Sequence, residues 1–192
     1  GQPLIISPEK LIEWELLTEE DVKDAPEWDE KHIDYGPLIE YKTGLLKKAY
    51  VNFQHTPIIL LLDEFRAFCE KNAFWLVDYA LFMALKDAHD GKSWTEWEEK
   101  YKFPTMAARA EAMAELKTSI DYYRFIQYIF FKQWEELKVY AHSNGIEIIG
   151  DIPIYVAFDS ADSWAHPELF QFDEECQPVA VAGCPPDAFS AT

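Results

Sequence analysis

The stretch that most restricts the possible folds is residues 118–151, where a long helical pattern leads into a short apolar run. Between positions 118 and 143, apolar side chains recur every three or four residues, which predicts one helix with an apolar face. Gly145 is a natural helix stop, and residues 146–149 form a β-branched run that predicts a buried strand. A helix, a glycine turn and an apolar strand in this order are typical of a parallel α/β fold.

Asp151 comes directly after the predicted strand and its closing Gly150. Loops at the C-terminal ends of buried strands converge on one mouth, so a carboxylate there is a candidate site residue. The alternative is that Asp151 only accepts hydrogen bonds from backbone amides at the end of the strand. The local pattern leaves both interpretations open.

The residues before position 117 show helical patterns and helix-start signals. Ser7 before Pro8 is a serine N-cap with proline at the first helical position, and Thr18 with Asp21 begins a second short element. Ser93 with Glu96 matches a capping box. Helices are predicted over residues 38–53, 58–71, 74–86, 94–101 and 105–116.

After the predicted strand the pattern becomes irregular. Asp159 is predicted to cap a short helix that runs through Trp164. Residues 170–172 and 179–182 could pair as a hairpin around an acidic turn at 173–175. Trp164 is interpreted as a core anchor, with a sugar-stacking platform as the alternative.

Several stretches resemble the 4-α-glucanotransferases of glycoside hydrolase family 77, also called amylomaltases or disproportionating enzymes. The central ones are Gly150-Asp-Ile-Pro-Ile-Tyr-Val-Ala, Asp159-Ser-Ala-Asp-Ser-Trp-Ala-His-Pro-Glu-Leu-Phe-Gln and Val181-Ala-Gly-Cys-Pro-Pro-Asp. Similar stretches begin at Asp34, Phe68 and Phe125, so the resemblance runs the length of the chain.

The resemblance implies a fold class of α/β, as an incomplete piece of a (β/α)8 TIM barrel with a large, mainly α-helical insertion. Residues 1–117 would be the helical insertion subdomain, and residues 118–158 a barrel helix followed by the third barrel strand. Residues 159–192 would begin the loop subdomain over the active-site cleft.

The resemblance also implies an activity, the transfer of α-1,4-glucan segments between maltooligosaccharides by a retaining double displacement. The catalytic carboxylates of the family match no position in this chain and would lie beyond Thr192. We therefore expect the chain to be an internal fragment that is inactive alone. The alternatives are a non-catalytic carbohydrate-binding or interaction module and a related α-glucan hydrolase.

The substrate-binding residues implied by the resemblance are Asp151, acting on neighbours or on a glucan hydroxyl, and five residues of a mobile loop over the cleft. These are Pro185, Pro186, Asp187, Phe189 and Ser190. Ala188 departs from the family, which usually has a tyrosine there whose face would stack on sugar. Without the family, residues 183–190 are a proline-rich surface connection. Tyr35 and Tyr41 could line a remote glucan surface, with ordinary helix packing as the alternative.

Composition excludes several other function classes. A net charge of −18 argues against nucleic acid or an anionic membrane as a partner, and neutral sugars need no charge steering. Five histidines without ligand spacing predict no metal site, and seven glycines without a phosphate-binding motif predict no cofactor. Three separated cysteines and no signal-peptide pattern predict reduced thiols in a cytoplasmic protein. The oligomeric state is left open.

Overall fold

The structure is a computed structural model that describes residues 1–26, 28–29, 31–55, 58–180 and 183. The described part of the chain is mainly helical and also contains three short 3-10 helices, Pro3–Ile5, Trp94–Glu96 and Pro167–Leu169. Its α-helices are α1 (Pro8–Glu13), α2 (Glu19–Val22), α3 (Tyr35–His55), α4 (Ile59–Lys71), α5 (Ala73–Ala88), α6 (Glu99–Lys102), α7 (Met106–Glu115), α8 (Lys117–Ser143) and α9 (Ala161–Ala165). The predicted helices over 38–53, 58–71, 74–86, 105–116 and 118–143 are confirmed, with boundaries that differ by a few residues.

The starts of α1 and α2 are those predicted from capping chemistry. Ser7 Oγ accepts a hydrogen bond from the Lys10 amide at 3.2 Å and so satisfies a free amide of the first turn of α1. At α2, the Asp21 carboxylate accepts from the Thr18 amide at 2.9 Å. These bonds are local in sequence, which explains why the pattern alone located both starts.

The end of α8 confirms the stop predicted at Gly145. This glycine has φ of +72°, a left-handed conformation in which a side chain would be strained. The Ile146 amide donates to the Ala141 carbonyl and the Gly145 amide to the His142 carbonyl, both at 3.0 Å. This pair of bonds is the Schellman arrangement, which satisfies the last carbonyls of the helix.

The described chain divides into two compact units. Unit 1 comprises Gly1–Ala80 and Lys117–Ile149, and unit 2 comprises Leu81–Leu116 and Gly150–Thr192. In unit 1, α8 packs against α3, α4 and the first 3-10 helix. The fully buried Phe125 ring lies 5.4 Å from the Tyr50 ring and 4.9 Å from the Phe53 ring, which joins α8 to α3.

The apolar face predicted for α8 is buried over only part of its length. Tyr123 and Ile126 are buried, whereas Trp134 is half-buried and Leu137 is exposed. A groove of about 510 Å³ runs along this second half of α8 and is lined partly by Ile5 and Phe130. Ala141, near the end of the helix, is buried again, so the face is left open only around Trp134 and Leu137.

In unit 2, α6 and α7 contact each other and aromatic side chains form much of the core. The buried members include Phe82, Trp94, Trp97 and Trp164. The Trp164 ring lies 5.9 Å from Phe82 and 6.1 Å from Trp97. Such large rings bury much apolar area per residue, which suits a small core.

The buried strand predicted at 146–149 is absent, and the described residues contain no β-strand. Ile149, Ile152 and Ile154 are 93%, 83% and 86% exposed. The physical reason is that a strand satisfies its backbone groups only by pairing with other strands. The described residues supply no partner strand, so the apolar run stays unpaired.

Two predicted helix starts are wrong. The capping box at Ser93 does not form: Ser93 Oγ contacts Thr95 Oγ1 at 3.1 Å, and the predicted helix over 94–101 is a 3-10 turn followed by α6. Ser160, rather than Asp159, caps α9, because Asp159 is bound to Lys86. At Asp159 a long-range contact outweighs the local signal, whereas at Ser93 another local contact does.

The hairpin predicted around the acidic turn is only partly formed. Phe172 and Pro178 form an isolated antiparallel bridge, and the Val179 amide donates to the Gln171 carbonyl at 2.9 Å. The turn is closed by the Asp173 amide, which donates to the Gln177 carbonyl at 2.9 Å. Residues 181 and 182 of the predicted hairpin lie outside the described residues.

Candidate functional site

Asp151 lies in an exposed segment of unit 2. Its Oδ1 accepts a hydrogen bond from the Ile152 amide at 3.0 Å, and the carboxylate is open to solvent. This bond to a neighbouring amide is the contact expected if Asp151 only accepts hydrogen bonds from the backbone. It leaves the second carboxylate oxygen available to a ligand. The role of Asp151 in binding stays a prediction.

The other predicted site residues lie outside the described residues. These are Pro185, Pro186, Asp187, Phe189 and Ser190, and Ala188 lies there with them. The structure describes the chain up to Ala180 and again at Gly183.

Between these two predicted segments, residues 158 and 159 are held by polar bonds from the helical part of unit 2. The Phe158 carbonyl accepts from Trp94 Nε1 at 3.1 Å and also from the Ser163 hydroxyl. The Asp159 carboxylate accepts from the Lys86 ammonium and, at 3.4 Å, from the Trp94 amide. We call residues 158 and 159 with their four bonds the 158–159 anchor.

Sequence reasoning missed this anchor. Trp94 and Phe158 are 64 residues apart, and nothing in the local pattern at either position pairs them. The one available signal was Asp159, a carboxylate beside an aromatic residue, which local capping rules assigned to α9 instead. A buried tryptophan needs a hydrogen-bond acceptor for its indole N–H, and this requirement could have prompted a search for the acceptor of Trp94.

Trp164 occupies the position predicted for a core anchor. Its side chain is buried, and its Nε1 donates to the Tyr101 carbonyl at 2.8 Å. The Arg109 guanidinium lies 5.2 Å from the ring centre, within the range of a cation–π contact. The packing interpretation of Trp164 is thereby confirmed.

A small groove of about 420 Å³ lies in unit 2 beside the 158–159 anchor. Its lining includes Val156, Phe158, Phe170 and Phe172. The Phe170 and Phe172 rings are nearly parallel, at 12°, with centres 5.7 Å apart. The groove is lined mainly by apolar side chains, with Gln171 among them, and it places these stacked rings next to the anchor.

The two tyrosines considered for a remote sugar surface have different surroundings. Tyr41 packs edge-on against Trp28 at 5.9 Å, and its hydroxyl donates to the Val22 carbonyl at 3.4 Å. Tyr35, at the start of α3, is exposed. Tyr41 therefore makes the packing contacts of the alternative interpretation, and Tyr35 leaves both open.

Two observations on the described residues concern metal ligands and thiols. The described residues contain no group of three or more His, Cys, Asp or Glu side chains placed to hold a metal ion. Burial raises the pKa of the Cys69 and Cys176 thiols, which disfavours the reactive thiolate at neutral pH. Both cysteines are free.

Comparisons with known proteins agree along the whole chain. The sequence profile of a family described as 4-alpha-glucanotransferase matches residues 1–192. The chain is 42% identical to the 4-alpha-glucanotransferase of Synechocystis over 99% of its length, and 42% and 43% identical over all of its length to those of Aquifex aeolicus and Thermus thermophilus. It spans about 38% of the length of each of these relatives.

A solved structure supports the same relationship. The amylomaltase from Streptococcus agalactiae in complex with acarbose matches 99% of this chain with a TM-score of 0.89 and 35% sequence identity. The match covers 38% of that protein. Across the described residues, no helix is both long and apolar enough to cross a membrane.

Proposed function

Because the chain belongs to the 4-alpha-glucanotransferase family, we propose that it is part of an enzyme that transfers α-1,4-glucan segments between maltooligosaccharides. The observation that carries the proposal is the family match over all 192 residues. The relatives of more than 40% identity and the structural match to an amylomaltase support it.

The proposed reaction is a retaining double displacement, in which one carboxylate forms a glycosyl-enzyme and a second acts as acid and then as base. A saccharide hydroxyl takes the place of water as the acceptor. The catalytic carboxylates would come from parts of the enzyme other than this chain. This chain would supply binding and positioning, with Asp151 and the loop from Pro185 to Ser190 in contact with glucan.

We propose that the chain is an incomplete piece of a (β/α)8 barrel. Residues 1–117 would form the insertion, 118–158 a barrel helix with the third strand, and 159–192 the start of the loop subdomain. The exposed isoleucines between positions 146 and 154 support this, since such apolar side chains are normally covered by neighbouring strands. Partner strands in the complete enzyme would then convert 146–149 into a strand.

The proposed enzyme needs no metal or cofactor, and its substrates are neutral α-glucans such as maltodextrins and starch-derived chains. The net charge of −18 supports a neutral substrate over an anionic one. A cytoplasmic location is part of the proposal, although the potato relative, 36% identical, carries the description chloroplastic/amyloplastic.

A chimera tests the proposal. This chain replaces the matching segment of the Streptococcus agalactiae amylomaltase, and the purified chimera is incubated with maltotriose. We expect glucose together with maltooligosaccharides longer than the substrate, and no products from the 192-residue chain alone. Products no longer than maltose would indicate a hydrolase, and retention on an amylose matrix without turnover would indicate a binding module; either result would overturn the proposal.

A single substitution in the chimera tests the assigned site residue. Asp151→Asn should raise KM for maltotriose, because an amide accepts hydrogen bonds from sugar hydroxyls less strongly than a carboxylate does. The matched control is Asp24→Asn, which changes the same charge at an exposed position of unit 1. Equal KM values for the two variants would remove Asp151 from the site.

A further inference from the structure

We propose that the open part of the α8 face is a docking face, and that the partner it fits is an apolar β-sheet layer from the part of the enzyme outside this chain. The docking face consists of the partly or fully exposed apolar and aromatic side chains that line the groove along α8, which are Ile5, Phe130, Trp134, Leu137 and Tyr140. The inference rests on the proposed function, because it takes the chain to be part of a longer enzyme. It goes further by naming the side chains that the rest of the enzyme covers.

The first argument is the position of the docking face on α8. Tyr123 and Ile126 are buried in unit 1, and Phe130, Trp134 and Leu137 follow them at steps of three and four residues. Such steps keep side chains on one side of a helix. The docking face therefore continues the stripe with which α8 already packs, and an exposed apolar patch of this kind marks an interaction surface.

The second argument is that the polar groups around the docking face are already paired. Gln133 Oε1 accepts from the Ser7 amide at 2.8 Å, and Gln133 Nε2 donates to the Ser7 carbonyl at 3.1 Å. The Lys10 ammonium lies 3.2 Å from the Glu136 carboxylate. A partner could therefore cover the apolar side chains without burying an unpaired polar group, which is the main cost of closing such a surface.

The third argument is the chain that leaves α8, which indicates the kind of partner. Ile146, Ile148 and Ile149 are exposed, and within the described residues no hydrogen bond joins the backbone of residues 147–149 to another segment. A β-branched run with unpaired backbone groups is satisfied by neighbouring strands. Because this run follows α8 directly, strands that pair with it would form a sheet on which the helix can pack.

The partner is chosen from three possible occupants. The chain spans only 38% of its Synechocystis relative and of the Streptococcus agalactiae amylomaltase, so most of such an enzyme lies outside it. A second copy of this chain would bring no strand from its described residues. A glucan would need hydrogen-bonding groups for its hydroxyls, and those of Gln133 and Lys10 are in use. Of the three, the rest of the enzyme can both cover the docking face and pair with residues 147–149.

The test compares two exposed leucines of unit 1 that undergo the same substitution. Leu137 lies on the docking face and is 51% exposed, whereas Leu60, near the start of α4, lies outside it and is 67% exposed. Leu137→Cys and Leu60→Cys are each made in the 192-residue chain and in the amylomaltase chimera. The rate at which N-ethylmaleimide alkylates the introduced thiol is followed by peptide mass mapping, which separates it from the native cysteines.

The thiol of Leu137→Cys should react at least about tenfold more slowly in the chimera than in the chain, because a covered thiol reacts only when its cover opens. The thiol of Leu60→Cys should react at rates within about threefold in the two proteins, since nothing is expected to cover it. Equal ratios in the two variants would overturn the inference, whether or not the chimera transfers glucan. Protection of Leu137→Cys in a chimera without transfer activity would instead refute the proposed function and support the docking face.

The isolated chain tests the two other occupants. Labelling of Leu137→Cys should not depend on the concentration of the chain or on saturating maltoheptaose. Slower labelling at higher chain concentration would show that a second copy covers the face, and slower labelling with maltoheptaose would show a sugar groove. Either result, seen in Leu137→Cys and not in Leu60→Cys, would overturn the inference.

Amide hydrogen exchange tests the kind of partner without any substitution. The peptide spanning residues 146–150 should exchange at least about tenfold more slowly in the chimera than in the 192-residue chain, because strand pairing would bind amides that are unpaired in the chain. Unchanged exchange would mean that no strand pairs with this run, and would overturn the assignment of a β-sheet layer as the partner.

Discussion

Replacing Tyr128 by phenylalanine should destabilise unit 1 by a predictable amount. The buried Tyr128 hydroxyl on α8 donates to Glu64 Oε2 at 2.9 Å, and Lys132, one turn further on, donates to the same oxygen at 2.7 Å. Tyr128→Phe keeps the ring and its edge-on contact with Phe65 at 5.7 Å and removes only the hydroxyl bond. Hydrogen bonds to charged groups contribute about 1.5–3 kcal/mol when buried.

The expected loss lies at or below the lower end of that range. The Glu64 side chain is 37% exposed, so water can take up part of the hydrogen bonding that the hydroxyl supplied. We expect the free energy of unfolding to fall by about 1–1.5 kcal/mol, which for a chain of this size lowers Tm by about 2–6 °C. Thermal unfolding followed by far-UV circular dichroism at pH 7 measures the change.

The control is Tyr140→Phe on the same helix, where the side chain is 69% exposed. An exposed hydroxyl is hydrogen-bonded to water in both the folded and the unfolded state, so its removal breaks no bond within the core. The Tm should therefore change by less than about 2 °C. Equal shifts in the two variants, or a Tyr128→Phe protein as stable as the parent, would refute the reasoning.

The same hydroxyl predicts a dependence on alkaline pH. Burial, and then the hydrogen bond and charge of Glu64, raise the pKa of Tyr128 above its ordinary value of 10.0. A raised pKa in the folded state gives stability that is complete below the unfolded pKa and is lost as pH rises through the folded pKa. The difference in urea midpoint between the parent and Tyr128→Phe should therefore shrink above pH 10, and a constant difference would contradict the assignment.

Three further predictions concern local structure and acid stability. Gly44→Ala, at an uncrowded interior position of α3, should raise the free energy of unfolding by about 0.5–1 kcal/mol. Gly145→Ala, at φ of +72°, should lower the free energy of unfolding by about 1–2 kcal/mol. Changes of the same sign in both variants would be contrary to this expectation. In urea unfolding, Ser7→Ala should lower the free energy of unfolding by about 1 kcal/mol and Ser93→Ala by less than about 0.5 kcal/mol. The reason is that Ser7 Oγ accepts from a helix amide, whereas Ser93 Oγ contacts Thr95. Similar losses in the two variants would mean that Ser93 does cap a helix. The hydrogen bond from Lys132 is the main cause that lowers the pKa of Glu64, so this carboxylate stabilises the fold above its unfolded pKa and loses that effect as pH falls through the folded value. Glu64→Gln should accordingly reduce the loss of Tm between pH 7 and pH 3, and an unchanged acid profile would argue against the pairing.

Much of the helical structure was predictable because its determinants are local. The start of α1 at Ser7 and the end of α8 at Gly145 depend on hydrogen bonds between residues no more than five apart. The start predicted at Asp159 had the same kind of signal and failed, because its carboxylate accepts from the distant Lys86 ammonium and Trp94 amide. Local rules therefore hold where no distant group competes for the same residues.

For the candidate site, the sequence could indicate residues but not their surroundings. Asp151 was identified from its position after an apolar run, and its exposed carboxylate is compatible with either interpretation that the sequence left open. Trp94 was not identified at all, since its partners are more than 60 residues away. The loop from Pro185 to Ser190 stays a prediction that depends on family resemblance.

The sequence by itself determined most of the helices, the start of α1, the end of α8 and the family to which the chain belongs, because helix hydrogen bonds and family motifs lie within short stretches. Only the tertiary structure decided that residues 146–149 remain unpaired and that Phe158 is held by Trp94. A strand and a buried indole both need hydrogen-bond partners from distant parts of the chain. Whether such partners are in place depends on how the whole chain packs, and no local pattern records it.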